Sequence, residues 1–289
     1  MPELPEVETM KLQLGKFLAG HKIVSVEVRN RHIFPGDENK IIGAKVIGTR
    51  RFGKVSVIDL SNNYSVLTHV KLTGQFIYRG PNLKDSGKLS SKVTGGVPGP
   101  HTLVIFKLDR GGVLYYNDVR RFGWIRIEKT TDVEHEKFIV KLGPEPHVAK
   151  GFAGQALTLD YFRQILSKTK RPIKIVIMDQ EKMGGVGNIY ATDALWLSRI
   201  NPKKPSNELT SAQAKELYDA IITVLKAGLK YGGASELAFV TPDGKEGEYQ
   251  NHTLAYGHTG EPCDRCHKAK FEKYFLGGRG TYWCPNCQK

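Results

Sequence analysis

The stretch KVIGTRRFGKVSVIDL, residues 45–60, indicates the fold of the first half of the chain. Its β-branched residues come in short, often alternating runs, which are typical of strands rather than helices. Turn residues such as Ser61-Asn62-Asn63 and Gly111-Gly112 separate this stretch from similar runs on either side, at 21–30, 64–72, 101–108, 112–118 and 123–129. This spacing predicts a β-sandwich or barrel.

Before these strands, the opening MPELPEVETM leads into a segment with helical period. The pattern predicts an amphipathic helix from Pro5 to about Ala19. Pro5 suits a first helical turn, where a missing N–H costs no hydrogen bond. The apolar face of this helix consists of Val7, Met10, Leu14, Phe17 and Leu18.

After the strands, the composition changes twice. Residues 79–100 are rich in Gly, Ser, Pro and Lys and predict a long mobile loop, and LGPEPHVAKGFAG at 142–154 predicts a linker. The helical period then returns, with candidate helices at Leu157–Lys168, Ile173–Gln180, Gly187–Leu197 and Ser211–Tyr231. Thr210 or Ser211 is the expected cap of the last helix, and Gly232-Gly233 is its expected end.

The 289 residues exceed what one small core needs. We therefore expect an α+β multidomain protein. The predicted divisions are a helix with a β-sandwich at 1–141, a linker at 142–156, a helical domain at 157–258 and a small metal module at 259–289.

The net charge of +14 and the sequence pI of about 9.5 favour a polyanionic partner. Nucleic acid is the first candidate, an anionic membrane surface is the second, and high charge also serves solubility. No apolar run approaches the roughly 18 residues of a membrane helix, and no secretory signal is visible. We therefore expect a cytoplasmic protein, in which thiols stay reduced.

All four cysteines lie near the end of the sequence, in two Cys-x2-Cys pairs separated by seventeen residues. This spacing predicts one four-thiolate zinc site of structural type, and the alternative is two disulfides or free thiols. The ligands would be Cys263, Cys266, Cys284 and Cys287. Between the pairs, KYFLGGRGTYW predicts a β-hairpin that turns at Gly277-Gly278 and presents Arg279, which would either bind phosphate or remain solvated.

A glycine cluster, Gly184, Gly185 and Gly187, lies between two candidate helices. The N–H groups at the start of the second helix could hold a phosphate, with Asn188 as a further donor. The cluster could equally be only a tight turn between helices.

The amino terminus offers a candidate nucleophile. If Met1 is removed, Pro2 has a free secondary amine whose reference pKa of roughly 7.7–8.0 leaves a sizeable unprotonated fraction at neutral pH. Such an amine attacks electrophilic carbon and forms an iminium. Glu3 and Glu6 would supply acid–base chemistry beside it. The alternative is that proline and glutamate only begin a helix.

Taken together, the chain resembles the bacterial formamidopyrimidine-DNA glycosylases. The motifs that carry the resemblance run in family order through nearly the whole chain: PELPEVET at 2–9, RRFGK at 50–54, HVKLTGQF at 69–76, NDVRRFG at 117–123, LGPEP at 142–146, RPIK at 171–174, MDQEKMGGVGNIYATDAL at 178–195 and GGRGTYWCPNCQK at 277–289. The opening ELPEVE favours this branch over the related endonuclease VIII enzymes.

The resemblance implies a helix with a β-sandwich, a helix–two-turn–helix domain and a zinc finger. It also implies removal of oxidised purines such as 8-oxoguanine and formamidopyrimidines from duplex DNA, then strand cleavage by β,δ-elimination. The expected enzyme is a monomer with one structural Zn²⁺. By similarity Pro2 attacks C1′, Glu3 is the acid/base and Glu6 supports the site. Lys54, in the strand of RRFGK, is the proton donor for β-elimination and Arg279 that for δ-elimination.

The resemblance further implies two sets of DNA-binding residues. Phosphate-gripping or groove-lining positions match His69, Lys174, Asn188, Tyr256 and Arg279. The residues inserted where the damaged nucleotide is turned out match Leu72, Arg120 and Phe122.

The chain departs from the family pattern at several places. Leu72 stands where many relatives have methionine, and Asp193 where glutamate is usual. The lesion-covering loop at 235–250 differs before its DGKEG core, and the insertion at 79–100 is unusual. Two other functions remain open: a glycosylase of this architecture that prefers oxidised pyrimidines, and a DNA-binding module without catalysis.

Overall fold

The structure is a computed structural model that describes residues 1–83, 87–148 and 153–289. The described residues form two compact units. The larger segments of the first unit are Met1–Val140 and Gly228–Gln250, and those of the second are Gly154–Ala227 and Asn251–Lys289. Three of the residues in the predicted loop, 84–86, and four in the predicted linker, 149–152, lie outside the described residues.

The first unit contains eight strands among its described residues. They are β1 (Ile23–Val28), β2 (Val46–Phe52), β3 (Val55–Leu60), β4 (Tyr64–His69), β5 (Gly74–Arg79), β6 (Thr102–Leu108), β7 (Val113–Asp118) and β8 (Trp124–Lys129). One sheet has the order β1-β6-β7-β5 and the other β2-β3-β4-β8, with antiparallel pairing throughout. The predicted β-sandwich is confirmed by these two four-stranded sheets.

Helix α1 spans Leu4–Leu18, close to the predicted limits, with Pro5 in its first turn. Its apolar face is buried and joins one core with residues of both sheets, such as Val46, Val66, Phe76 and Phe106. The helix packs against β2 and β3. This burial fixes the start of the chain against the sandwich, because each large apolar side chain removed from water stabilises the folded state by about 1.5–3 kcal/mol.

Strand β5 was not predicted from the sequence. Phe76, Ile77 and Tyr78 are all buried, so the strand is covered on both faces and lacks the alternation of a half-exposed strand. The cover on one face includes Val93 and Val240, which pack against Ile77. The described part of the predicted mobile loop is therefore packed on the sandwich.

The helices outside the first sandwich are α2 (Lys137–Val140), α3 (Leu159–Ser167), α4 (Ile173–Ile177), α5 (Asn188–Leu197) and α6 (Ser211–Lys230). Helix α4 ends three residues before the predicted limit, where the side chain of Asp179 accepts the N–H of Glu181 in a turn. Thr210 accepts the N–H of Gln213 at the start of α6, as one of the two predicted caps. Within the described residues, no helix is long and apolar enough to cross a bilayer.

The second unit ends in a hairpin, β9 (Glu272–Leu276) and β10 (Arg279–Trp283). Its turn is Gly277-Gly278, as predicted, with φ of 56° and 72°. Strand β10 packs against α5. The small core beneath the hairpin is formed by Trp196, Ala255, Cys263, Phe271 and Cys284.

Candidate functional site

The start of α1 holds the predicted catalytic carboxylates. Pro2, Glu3 and Glu6 are all buried, although Glu3 and Glu6 are acidic. The backbone N–H of Glu3 donates to Glu6 Oε2 at 2.7 Å. A buried carboxylate needs such partners because an unpaired charge away from water is costly.

The other oxygen of Glu6 reaches a distant part of the sequence in the same unit. Oε1 accepts the N–H of Ala234 at 2.7 Å. Gly233 makes this approach possible: its φ is +88°, and a Cβ there would lie 2.8 Å from Glu6 Cγ. Glu6 therefore ties the N-terminus of α1 to the beginning of the 234–248 segment.

Lys54 lies in the turn between β2 and β3, rather than in the strand that the sequence suggested. The strands end at Phe52 and restart at Val55 because Gly53 has φ of +52°. Lys54 is 3% exposed and its charge acts on His69. This turn therefore presents a buried ammonium at one end of the sandwich.

A buried ion cluster lies behind this turn and was missed by the sequence reasoning. Glu8 Oε2 accepts from Arg51 Nε at 2.7 Å, and Lys11 Nζ lies 2.7 Å from Glu8 Oε1. Arg51 also donates from Nη1 to the carbonyl of Gly53 at 2.9 Å. The available signal was the placement of Glu8 and Lys11 between apolar positions of α1, since a charged residue on a buried face needs a partner.

His69 is 3% exposed, packs against the rings of Trp124 and Phe138, and accepts the N–H of Lys71 at Nδ1. Burial lowers its pKa from 6.5 to about 3, with further lowering by the charges of Lys71 and Lys54. His69 is therefore a neutral imidazole at physiological pH. Burial also lowers the pKa of Lys71, a cation that the sequence reasoning did not select.

The residues predicted to enter DNA lie on two loops that Asp118 joins. Asp118 accepts the hydroxyl of Thr73, next to Leu72, and its other oxygen accepts the N–H of Gly123 at 2.8 Å. The hydroxyl of Thr73 in turn accepts the N–H of Arg120 at 3.0 Å.

At the surface of these loops, Phe122 is 56% exposed and the guanidinium of Arg120 lies 4.8 Å from its ring centroid. Leu72 is half-buried on the adjoining turn. An apolar ring exposed beside a planar cation has the form of a wedge that enters a base stack. The structure therefore brings the three predicted insertion residues onto one pair of joined loops.

In the second unit, two predicted DNA-binding residues meet beneath the hairpin. Asn188 Nδ2 donates to the carbonyl of Gly280 at 3.0 Å, and Lys174 Nζ donates to the same oxygen at 3.1 Å. Lys174 also donates to the hydroxyl of Thr281 at 2.9 Å and is fully buried. In this conformation both residues hold strand β10, whose first residue, Arg279, is exposed at the end of the turn.

Tyr256 lies at the same part of the second unit, with its ring centroid 4.9 Å from that of Tyr282. Asp193, the residue that departs from the family pattern, is fully buried and accepts the N–H groups of Ala255 and Tyr256, each at 3.0 Å. The shorter carboxylate therefore still fixes the turn that carries Tyr256.

The sulfur atoms of the four cysteines all lie within 4.8 Å of one another. The Cys263–Cys287 and Cys266–Cys284 sulfur distances are 3.8 and 3.7 Å. A disulfide would require about 2.05 Å, whereas sulfurs about 2.3 Å from a central tetrahedral Zn²⁺ are about 3.8 Å apart. The residues therefore fit one Zn²⁺ held by four thiolates, a closed and structural site.

Comparison with known proteins gives matches to three family models in chain order. They are the N-terminal domain of formamidopyrimidine-DNA glycosylase over residues 1–125, its H2TH domain over 142–239, and the zinc finger found in FPG and IleRS over 260–289. The formamidopyrimidine-DNA glycosylase of Listeria monocytogenes is 35% identical over the full length of both chains.

Two solved structures of the Lactococcus lactis Fpg superpose on nearly the whole chain. A complex with DNA that contains an abasic site has a TM-score of 0.84 at 31% identity and covers 99% of both chains. A complex of a mutant with DNA that contains Fapy-dG has a TM-score of 0.85 at 31% identity and covers 100% of both.

Proposed function

The chain belongs to the formamidopyrimidine-DNA glycosylase family of DNA-repair enzymes that remove oxidised bases, and we propose that it excises oxidised purines through an iminium at Pro2. The observation that carries this proposal is the buried start of α1, where Pro2, Glu3 and Glu6 are all buried and the N–H of Glu3 donates to Glu6 Oε2. A protein that only binds DNA gains nothing from such a terminus.

The reaction begins after removal of Met1. The unprotonated nitrogen of Pro2 attacks C1′ of the damaged nucleotide, the C1′–N bond of the base breaks, and the base leaves with the proton that the Pro2 nitrogen loses. The C1′–O4′ bond of the sugar then breaks, and O4′ takes a proton from Glu3 as the C=N bond of the iminium forms. The resulting charged iminium withdraws electrons from the sugar. Glu3, held by the backbone contact to Glu6, exchanges protons with the sugar, and the buried charge of Lys54 favours the neutral form of the amine.

Strand cleavage follows from the same intermediate. Loss of a proton from C2′ expels the 3′ phosphate by β-elimination, and a second elimination expels the 5′ phosphate. Lys54 and Arg279 are the proposed proton donors for the two departures. The Zn²⁺ site keeps the hairpin folded, and Lys174 and Asn188 support the strand that begins at Arg279.

Access to C1′ requires that the damaged nucleotide leave the helix. We assign Leu72 and Phe122 to the space left in the stack and Arg120 to the unpaired opposite base, because their loops are joined through Asp118 and Phe122 is exposed. His69, which is neutral and buried, supports the adjoining turn through its contact with Lys71. The enzyme acts as a monomer in the cytoplasm under this proposal.

The test uses protein with and without Met1, separated by mass measurement. Incubation with an 8-oxoguanine:cytosine duplex and borohydride should trap a covalent complex only with the processed form. A Pro2→Gly variant tests whether the secondary amine is needed. Equal trapping of the processed and Met1-retaining proteins would refute the assignment of Pro2, and a strong preference for thymine glycol would favour the oxidised-pyrimidine function instead.

A further inference from the structure

Residues 87–100 of the insertion pack against the segment 234–248. Ser90 donates its N–H to the carbonyl of Gly244 at 2.9 Å, and its hydroxyl donates to Glu246 Oε1 at 2.6 Å. Lys92 completes the contact from Nζ, which lies 2.5 Å from Glu246 Oε2. Both segments belong to the first unit, so these contacts are internal to it.

Lys92 has a second hydrogen-bond partner besides Glu246. Its Nζ also donates to the carbonyl of Ser235, while its own carbonyl accepts from Gln75 Nε2 at 2.9 Å. The side chain is 26% exposed, so both of its hydrogen bonds are partly shielded from water. A charge-assisted bond to a backbone oxygen fixes the position of that peptide group.

Apolar contacts reinforce the same junction. Val93 and Val240 pack together with Ile77, and all three are buried. Gly244 admits the side chain of Leu89, because a Cβ at Gly244 would lie 2.3 Å from Leu89 Cδ2 and its φ is +87°. The two segments are therefore matched in shape as well as in charge.

The junction leads directly to the catalytic carboxylates. Ser235, held by Lys92, follows Ala234, whose N–H donates to Glu6 Oε1 at 2.7 Å. The other oxygen of Glu6 accepts the N–H of Glu3. The Ala234 N–H and the Ser235 carbonyl belong to the peptide groups on either side of the Ala234–Ser235 bond. A displacement of this two-residue segment would thus remove one of the two described hydrogen bonds that orient the Glu6 carboxylate.

We propose that Lys92 is a positioning residue for catalysis, which holds the Ser235 carbonyl from the insertion, fixes the two-residue segment Ala234–Ser235 and thereby orients Glu6 and Glu3. This inference rests on the proposed function only in assigning the chemistry to the start of α1. It gives the 79–100 insertion a role in the reaction, and it makes Lys92 act through Glu6 without contact with the substrate.

The test compares Lys92→Met with Lys88→Met, a matched control on the same segment. Lys88 is exposed and has no described hydrogen bond or ion pair. In Lys92→Met, amide exchange at Ala234 and Ser235 should be about fivefold faster, because these amides open more readily when the neighbouring Ser235 carbonyl loses its partner. Lys88→Met should leave that exchange unchanged.

The kinetic arm measures single-turnover excision from an 8-oxoguanine:cytosine duplex and, separately, binding to a duplex with a tetrahydrofuran site. Lys92→Met should lower the excision rate about tenfold with unchanged DNA affinity, since it removes the hydrogen bond from the charged ammonium to the Ser235 carbonyl. Lys92→Arg should restore the rate. Glu246→Gln, which keeps the Ser235 contact, should lower the rate less than Lys92→Met does.

Several results would overturn the inference. They are equal excision rates for Lys92→Met and Lys88→Met, faster exchange without a slower rate, or a slower rate that Lys92→Arg fails to restore. Failure of the proposed function is a distinct result, because the wild-type protein would then excise no base. The exchange measurement would still decide whether Lys92 holds the Ala234–Ser235 segment.

Discussion

Replacing Glu8 by glutamine should destabilise the first unit strongly, although the change is nearly isosteric. Glu8 lies 2.7 Å from both Arg51 Nε and Lys11 Nζ, and the side chains of the three residues are 1%, 1% and 7% exposed, respectively. The amide would remove the negative charge that both buried cations contact, and its NH2 group would face one of them. Breaking a buried pair in this way costs about 3–5 kcal/mol.

This cost is large beside a total stability of roughly 5–15 kcal/mol for folded domains. At about 2–4 °C per kcal/mol, the melting temperature should fall by roughly 6–20 °C. Thermal and urea unfolding followed by circular dichroism would measure it. Glu27→Gln is the matched control: Glu27 pairs with Arg29 at 2.6 Å, but the two side chains are 49% and 39% exposed. The control should change stability by no more than about 0.5 kcal/mol.

The same variant should also slow cleavage of an abasic site, because Arg51 holds the carbonyl of Gly53 next to Lys54. We expect roughly a tenfold loss at a temperature where the variant is folded, since small displacements of a catalytic group are costly. The triple variant Glu8→Leu, Lys11→Met and Arg51→Met replaces the buried ions by apolar side chains and should recover stability but not cleavage. A loss of stability in Glu8→Gln no larger than that in Glu27→Gln would refute the reasoning.

Three further predictions concern other parts of the chain. Gly233→Ala would force a side chain into the space of Glu6 at a φ of +88°, so it should cost about 1–3 kcal/mol in unfolding free energy and abolish most excision. Excision at the wild-type rate would contradict this prediction. His69 has a pKa of about 3 in the folded protein and near 6.5 in the unfolded chain, so as pH falls from 7 to 5 it takes up a proton only in the unfolded state. The free energy of unfolding should therefore fall by about 2 kcal/mol more in the wild-type protein than in His69→Asn, as measured by urea titrations at both pH values. Phe122→Ala should reduce 8-oxoguanine excision at least about tenfold while a preformed abasic site is still cleaved, whereas equal losses on both substrates would contradict a role as a wedge.

The sequence predicted most of the elements of this protein because their signals are local. The alternation at 45–60 predicts paired strands, the Cys-x2-Cys pairs predict the metal site, and Gly277-Gly278 predicts the hairpin turn, which the structure confirms. In each case the signal is a short sequence pattern whose residues lie a few positions apart, such as each Cys-x2-Cys pair. The same holds for the helix that carries Pro2, Glu3 and Glu6, whose catalytic roles remain proposals.

Only the tertiary structure decided which distant groups share a hydrogen bond. Glu6 meets Ala234 across 228 positions, Lys92 meets Ser235 across 143, and Arg51 meets Glu8 across 43. No local pattern predicts such pairs, because the folded structure decides which distant residues lie within hydrogen-bond distance of each other. Strand β5 escaped prediction for the same reason: the 87–100 and 234–248 segments cover its outer face, and that cover removes the alternation by which a strand is recognised in sequence.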